Sequence, residues 1–183
     1  MMVQKVTVMK IGIVSDSHGE VENLKDAVDW LVDGGAEKII HLGDDYDDAE
    51  GLKIEVIRVP GVFSRYYKDP EIPNRRIEEI EGWRVLLTHT EQSHENDLPT
   101  DIKPEEVIER REVELVLCGH THIPKIEEKG GILYINPGHL KKKDKKGYPP
   151  SFASVEFTRE KVDAKIIDLK SKEIILEREM LKP

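Results

Sequence analysis

Cysteine is almost absent from this chain. Cys118 is the single one among 183 residues, so no intrachain disulfide can form and the fold must rest on its core. One cysteine also suits a reducing compartment, and a cytoplasmic location is the expectation. Amides are scarce, with two glutamines and four asparagines against abundant Glu and Lys. That balance points to a thermophile, because ion-pair networks gain at high temperature. No apolar run reaches the length of a membrane span, and MMVQKVTVMKIGIV lacks the apolar stretch and cleavage site of a secretory signal. No membrane partner is expected. The net charge of −9 repels phosphate backbones, so nucleic acid is not an expected partner either.

The chain is 36% charged and only 38% hydrophobic, a balance that borders on disorder. Its apolar residues, however, come in compact runs such as KIGIVSD, EKIIHLGD and VELVLCG, which argue for a globular fold. The length suggests one domain spanning 1–183.

Val6–Ser15 reads as a strand. Glu20–Asp33 follows, with apolar residues at helical spacing and Gly34-Gly35 as its stop. Lys38–Leu42 and Ile54–Val59 read as two further strands, with a short helix between them. This β-α-β-(short helix)-β pattern belongs to a parallel, doubly wound sheet. Tyr66–Asn74 reads as loop, and Arg76–Ile80 and Trp83–Thr88 as strands hinged at Gly82. Pro104–Arg111 reads as a short helix and Glu114–Cys118 as a buried strand. A strand over Lys125–Glu128 turns at Gly130-Gly131 into another over Ile132–Ile135. Ser151–Phe157, Val162–Leu169 and Glu173–Met180 form an antiparallel meander, whose edges could pair in a homodimer. The fold class expected is one α/β domain with two sheets and helices outside.

Polar residues of ligand type stand where the apolar strands end: Asp16 and His18, Asp44, His89, then His120 and His122. In open α/β sheets the ligand crevice lies at the carboxyl ends of the strands. Each piece has a bland alternative. Asp16-Ser17-His18 could be a helix cap, Gly43-Asp44-Asp45 a turn, and His89 a core histidine. Gly119-His120-Thr121-His122 resists this, because two buried imidazoles so close would both need partners. Two carboxylates and four imidazoles make a mixed oxygen and nitrogen set, which suits Mn, Fe, Zn, Co or Ni better than Ca or Mg. Six donors exceed one tetrahedral site. A shared carboxylate and two divalent ions, manganese first among them, is the economical arrangement. It implies hydrolysis of a small phosphate ester.

Asp-x-His, Gly-Asp, a later strand-end His and Gly-His-Thr-His occur here in that order, followed by Asn136-Pro137-Gly138. This resembles the calcineurin-like metallophosphoesterases, in their small prokaryotic phosphodiesterase branch, from about Lys10 to Gly138. The resemblance implies a four-layer α/β/β/α sandwich of two packed mixed sheets. It implies Asp16, His18 and His122 on a first metal, His89 and His120 on a second, and Asp44 bridging both. A metal-bridging hydroxide would attack the ester.

The family's Gly-Asn motif is replaced by Pro60-Gly61-Val62-Phe63-Ser64. Valine cannot ligate, so the second site is expected to be weak, completed by water, Ser64, Glu91 or His94. The leaving-group acid of some branches is also missing near Ser64, and the expected His-Gly pair reads His89-Thr90. The alternative reading is a protein-interaction scaffold of the same fold, like the retromer subunit with its degraded metal site.

His41 reads as a core residue or a support for the ligands, and His94 as a substrate contact or a solvent loop. Asp45, Asp47 and Asp48 read as a solvated helix start, with a support for the ligands as the lesser alternative for Asp47. Lys141–Lys146 (KKKDKK) reads as a solvated hairpin, or as lysines that attract an anionic substrate. Tyr66 and Tyr67 could stack on a nucleoside or pack on the core.

Overall fold

The computed structural model describes residues 7–183; Val6, the expected start of the first strand, lies outside them. The first sheet is built from β1 (Met9–Val14), β2 (Lys38–His41), β3 (Val56–Arg58), β9 (Ser151–Phe157), β10 (Lys161–Asp168) and β11 (Ile174–Leu181). Its order is β11-β10-β9-β1-β2-β3. The second contains β4 (Arg75–Ile80), β5 (Trp83–Thr88), β6 (Leu115–Leu117), β7 (Lys125–Lys129) and β8 (Ile132–Asn136), in the order β4-β5-β6-β8-β7. Both sheets are mixed. β1 pairs parallel with β2 and antiparallel with β9, and β5, β6 and β8 run parallel.

Strand alternation explains the layering. Ile11 and Ile13 of β1 face inward with Ala153, Val155 and Phe157 of β9. They meet Trp83, Val85 and Leu87 of β5, Leu115 and Leu117 of β6, and Leu133 and Ile135 of β8. This is the core between the sheets. The opposite parity points outward: Val14, Ile39 and Phe152 meet Leu24, Val28 and Leu31 of helix α1 (Val21–Asp33). On the other side Leu86, Val116 and Ile132 meet Val107 of helix α2 (Pro104–Glu109). Strands apolar on both faces belong to a sheet covered on both sides. The result is the expected α/β/β/α sandwich. Trp83, fully buried, donates its indole N–H to the Thr158 carbonyl at 2.7 Å, so its polar edge is satisfied.

The local differences are small and have local causes. The short helix expected after β2 is a 3-10 turn over Tyr46–Gly51, entered through Asp45 at φ 32°. The stretch read as loop opens with another 3-10 turn, Arg65–Lys68, capped by the Ser64 hydroxyl. β4 begins one residue earlier than expected, at Arg75, whose side chain is wholly buried. None of the described helices is long and apolar enough to cross a membrane.

Candidate metal centre

The six residues singled out by the sequence all lie just beyond strand ends. Asp16 and His18 follow β1, and Asp44 follows β2. His89 follows β5, and His120 and His122 follow β6. The first three come from one sheet and the last three from the other. The two loop sets interlock. Asp16 N–H donates to the Gly43 carbonyl at 2.7 Å, and Gly119 N–H to the His89 carbonyl at 3.0 Å. His120 N–H donates to Asp16 Oδ2 at 3.0 Å, which ties one sheet's loop to the other's. Two glycines are required by close approach. A Cβ on Gly119 would lie 2.0 Å from Ser15 Oγ, and one on Gly61 would lie 2.1 Å from Asp44 Oδ1.

Eight described non-glycine residues have positive φ, and four of them are Asp16, His18, His120 and His122, at 48–67°. Such backbone costs about 1–3 kcal/mol per residue and persists where the surroundings impose it, commonly at functional sites.

Asp16, His18, Asp44 and His122 offer donor atoms that all lie within 4.8 Å of one another. His18 Nε2 is 3.0 Å from Asp44 Oδ2 and 3.0 Å from His122 Nε2. Asp16 Oδ1 is buried and has no hydrogen-bond partner, although His122 Nε2 is 3.2 Å away. Beside this group stands a trio: His89 Nε2 lies 3.4 Å from Asp44 Oδ1 and 3.2 Å from His120 Nδ1. Asp44 therefore touches both groups. His89 and His120 fall outside the tight four-donor cluster, and with Asp44 the second group has three donors rather than four.

Hydrogen-bond partners assign the protons of the imidazoles. His89 Nδ1 lies 2.7 Å from the Leu42 carbonyl, which only accepts, so Nδ1 carries the hydrogen and Nε2 presents a lone pair to the cluster. His122 Nδ1 lies 2.7 Å from Asp144 Oδ1, with the same consequence. This is the pattern of an imidazole held for ligation by an outer acceptor. His41, His94 and His139 show the reverse. Their Nδ1 atoms accept backbone N–H groups from Gly43, Asn96 and Lys141. Their Nε2 atoms are therefore the protonated ones when the rings are neutral.

The charges agree. Burial pushes the Asp44 carboxyl up, but the hydrogen bond and charge of His18, with the imidazole of His89 beside it, outweigh this, so it sits well below the usual carboxylate range. His18 is raised by its bond to Asp44 and His122 by the Asp16 carboxylate, each against burial. Burial pushes His41 down to about 4, more than Asp16 and Asp48 pull it up, so it stays neutral. A buried bare carboxylate oxygen and inward nitrogen lone pairs, packed this closely, fit a divalent cation better than they fit one another.

The supports include residues that the sequence did not single out for that role. His41 does support the loop, its Nε2 being 3.1 Å from Ser17 Oγ. Asp48, not Asp47, reaches the site, accepting Gly19 N–H at 2.9 Å; Asp47 pairs with Arg65. Asn136 donates to the Gly119 carbonyl and to Thr121 Oγ1, fixing the Gly-His-Thr-His turn. Within KKKDKK the important residue is Asp144, while Lys141 pairs with Asp144 itself and Lys142 with Glu20. Burial would raise the Asp144 carboxyl, but its bonds from His122 and from Lys146 N–H hold it well below the usual range. Its only sequence signal was an acid standing alone in a basic run. Asp144→Asn should weaken divalent-ion binding by about 10–100-fold, as loss of a ligand's outer partner does, and leave thermal stability in chelator unchanged. Calorimetric titration with Mn(II) measures it; an unaltered affinity would remove Asp144 from the site.

Of the candidates to complete the second group, Glu91 pairs with Lys125 and meets Cys118 Sγ at 3.4 Å. Ser64 is occupied as a cap. Val62 is buried, with its carbonyl accepting Asn96 Nδ2–H at 3.0 Å. Tyr67 is also buried and donates to Asp97, whereas Tyr66 packs its ring 5.1 Å from Tyr46.

A family model described as the calcineurin-like phosphoesterase superfamily domain matches residues 9–160. A phosphodiesterase of Methanocaldococcus jannaschii is 30% identical over 146 residues, covering 71% of this chain and 83% of that protein. A probable metallophosphoesterase of Methanothermobacter thermautotrophicus is 31% identical over 170 residues, covering 87% and 92%. Among solved structures, vacuolar protein sorting 29 of Cryptosporidium parvum superposes with a TM-score of 0.72 at 22% identity, over 96% of this chain and 99% of that one.

Proposed function

Because the chain belongs to the calcineurin-like phosphoesterase superfamily, we propose that it is a phosphodiesterase working with two divalent ions, manganese foremost. The observation that carries this reading is the convergence of donors from both sheets on Asp44. Asp16, His18, Asp44 and His122 would hold one ion, and Asp44, His89 and His120 the other. Ions held there would supply Lewis acidity and make a water more acidic.

The chain's own part is preorganisation. Ser15 and the His120 N–H fix Asp16, Leu42 fixes His89, and Asp144 fixes His122. The lone pairs are therefore aimed before substrate arrives. The scaffold reading draws on Val62 and on the likeness to a sorting protein. Six carboxylate and imidazole donors nevertheless remain together, more than a scaffold needs, so the enzyme reading is preferred.

Purified protein loaded with Mn(II) should hydrolyse bis(p-nitrophenyl) phosphate. Calorimetry should show two unequal sites, because the second group offers three donors. Val62→Asn should then strengthen the weaker one. Bound metal with no turnover for any divalent ion tried would favour the scaffold.

A further inference from the structure

Phe63 is 75% exposed, more than any other large apolar side chain among the described residues. An isolated exposed ring needs no explanation. This one stands over the candidate centre, its ring 6.4 Å from that of His120 and 5.6 Å from that of His94, which it meets edge to face. The segment carrying Phe63 is tied to the loop carrying His94 by the Asn96 bond to the Val62 carbonyl. That loop is anchored in turn: His94 N–H donates to Asp97, which Arg75 grips with both Nη atoms.

His94 is not arranged as a ligand. Its Nδ1 accepts Asn96 N–H at 3.1 Å, which leaves the proton on Nε2. Its ring is 6.5 Å from that of His120, against 5.0 Å for the His89–His120 and His18–His122 pairs. An N–H donor beside the centre, next to a bare aromatic face, matches two parts of one molecule. Beyond Phe63 opens a cleft of about 390 Å³, lined in part by Asp45, Asp47 and Asp48, with Arg65 already paired to Asp47. Its net charge is negative, which disfavours an arm bearing a second phosphate or a carboxylate.

We infer that His94 and Phe63 form a substrate subsite: His94 Nε2–H holds a phosphate oxygen and Phe63 stacks an uncharged aromatic arm of the diester. The inference rests on the phosphoesterase reading and adds the substrate class, a monoanionic aryl or nucleoside diester.

The test uses Mn-loaded protein and three diesters that share a p-nitrophenyl leaving group, with phenyl, methyl or 4-carboxyphenyl as the other arm. The native chain should prefer phenyl over both others in kcat/KM. Phe63→Ala should cut the phenyl-to-methyl ratio about tenfold, the scale of one stacking contact. Because Phe63 is exposed, misfolding is no obstacle. His94→Ala should weaken competitive inhibition by inorganic phosphate about tenfold or more, as loss of a bond to a charged group does, with two ions still bound by metal analysis. His94→Gln, which keeps an N–H donor, should restore part of that binding. An unchanged ratio in Phe63→Ala, or loss of one ion in His94→Ala, overturns the subsite while turnover by the native chain still supports the phosphoesterase reading. A native chain that hydrolyses none of the three overturns both.

Discussion

Asp44→Ala should weaken both ion sites at once and lower phosphodiester turnover by on the order of a thousandfold or more. Losing an outer partner of a ligand costs roughly 10–100-fold in affinity, and Asp44 is no outer partner. One of its oxygens is 3.0 Å from His18 Nε2 and the other is 3.4 Å from His89 Nε2, so it belongs to both groups at once. Gly61 is packed against it so closely that no side chain could intervene. His120→Ala, by contrast, should spare the ion of Asp16, His18 and His122. Metal analysis of the two variants decides the point. If either site of the Asp44 variant keeps its native affinity, the carboxylate is not shared.

Arg75→Met should lower stability by roughly 3–5 kcal/mol, because it leaves Asp97 charged and largely buried without its partner. For a chain of this size that is a fall in melting temperature of about 10 °C. Arg75 also donates to Thr88 and Thr90 hydroxyls and to the carbonyls of Gln92 and Ile102, so one guanidinium ties the loop from 90 to 102 at several points. Adding Asp97→Asn to Arg75→Met should recover part of the loss, since no bare charge then remains. A thermal melt of the single variant within 2 °C of the native one would mean that the pair behaves like a surface ion pair.

The strands, and the placing of six ligand-type residues just beyond their ends, were legible because both signals are local. An apolar run ends, and a ligand-type residue follows it within a few positions. What was not legible depends on contacts between distant segments. Asp144 lies 22 residues from His122 in a stretch whose composition announces solvent, and only the returning chain brings the two together. Arg75 looks like any charged residue at a strand start; its burial follows from the loop that folds over it. Asp47 and Asp48 are indistinguishable by type, and the 3-10 turn, one residue tighter per bond than the eye assumes, decides which one faces Gly19. Tyr66 and Tyr67 part company for the same reason. The departure at Val62 was legible as a missing donor, but the answering features, Phe63 and His94, come from two segments far apart in the chain, joined in part through Asn96.

The sharing of donors between the two sheets has a thermodynamic consequence. Asp16 and His122 are separated by more than a hundred positions in the chain, and their approach exists only while the two halves are stacked. Unfolded chain cannot present that set, so a tightly held divalent ion binds native protein alone. Its chemical potential then sets the folding equilibrium: each tenfold rise in free metal above the dissociation constant adds about 1.4 kcal/mol in favour of the native state. The same ion that equips the protein for chemistry would act as a rivet between its halves, and scarcity of metal would be felt first as a loosening of the seam between them.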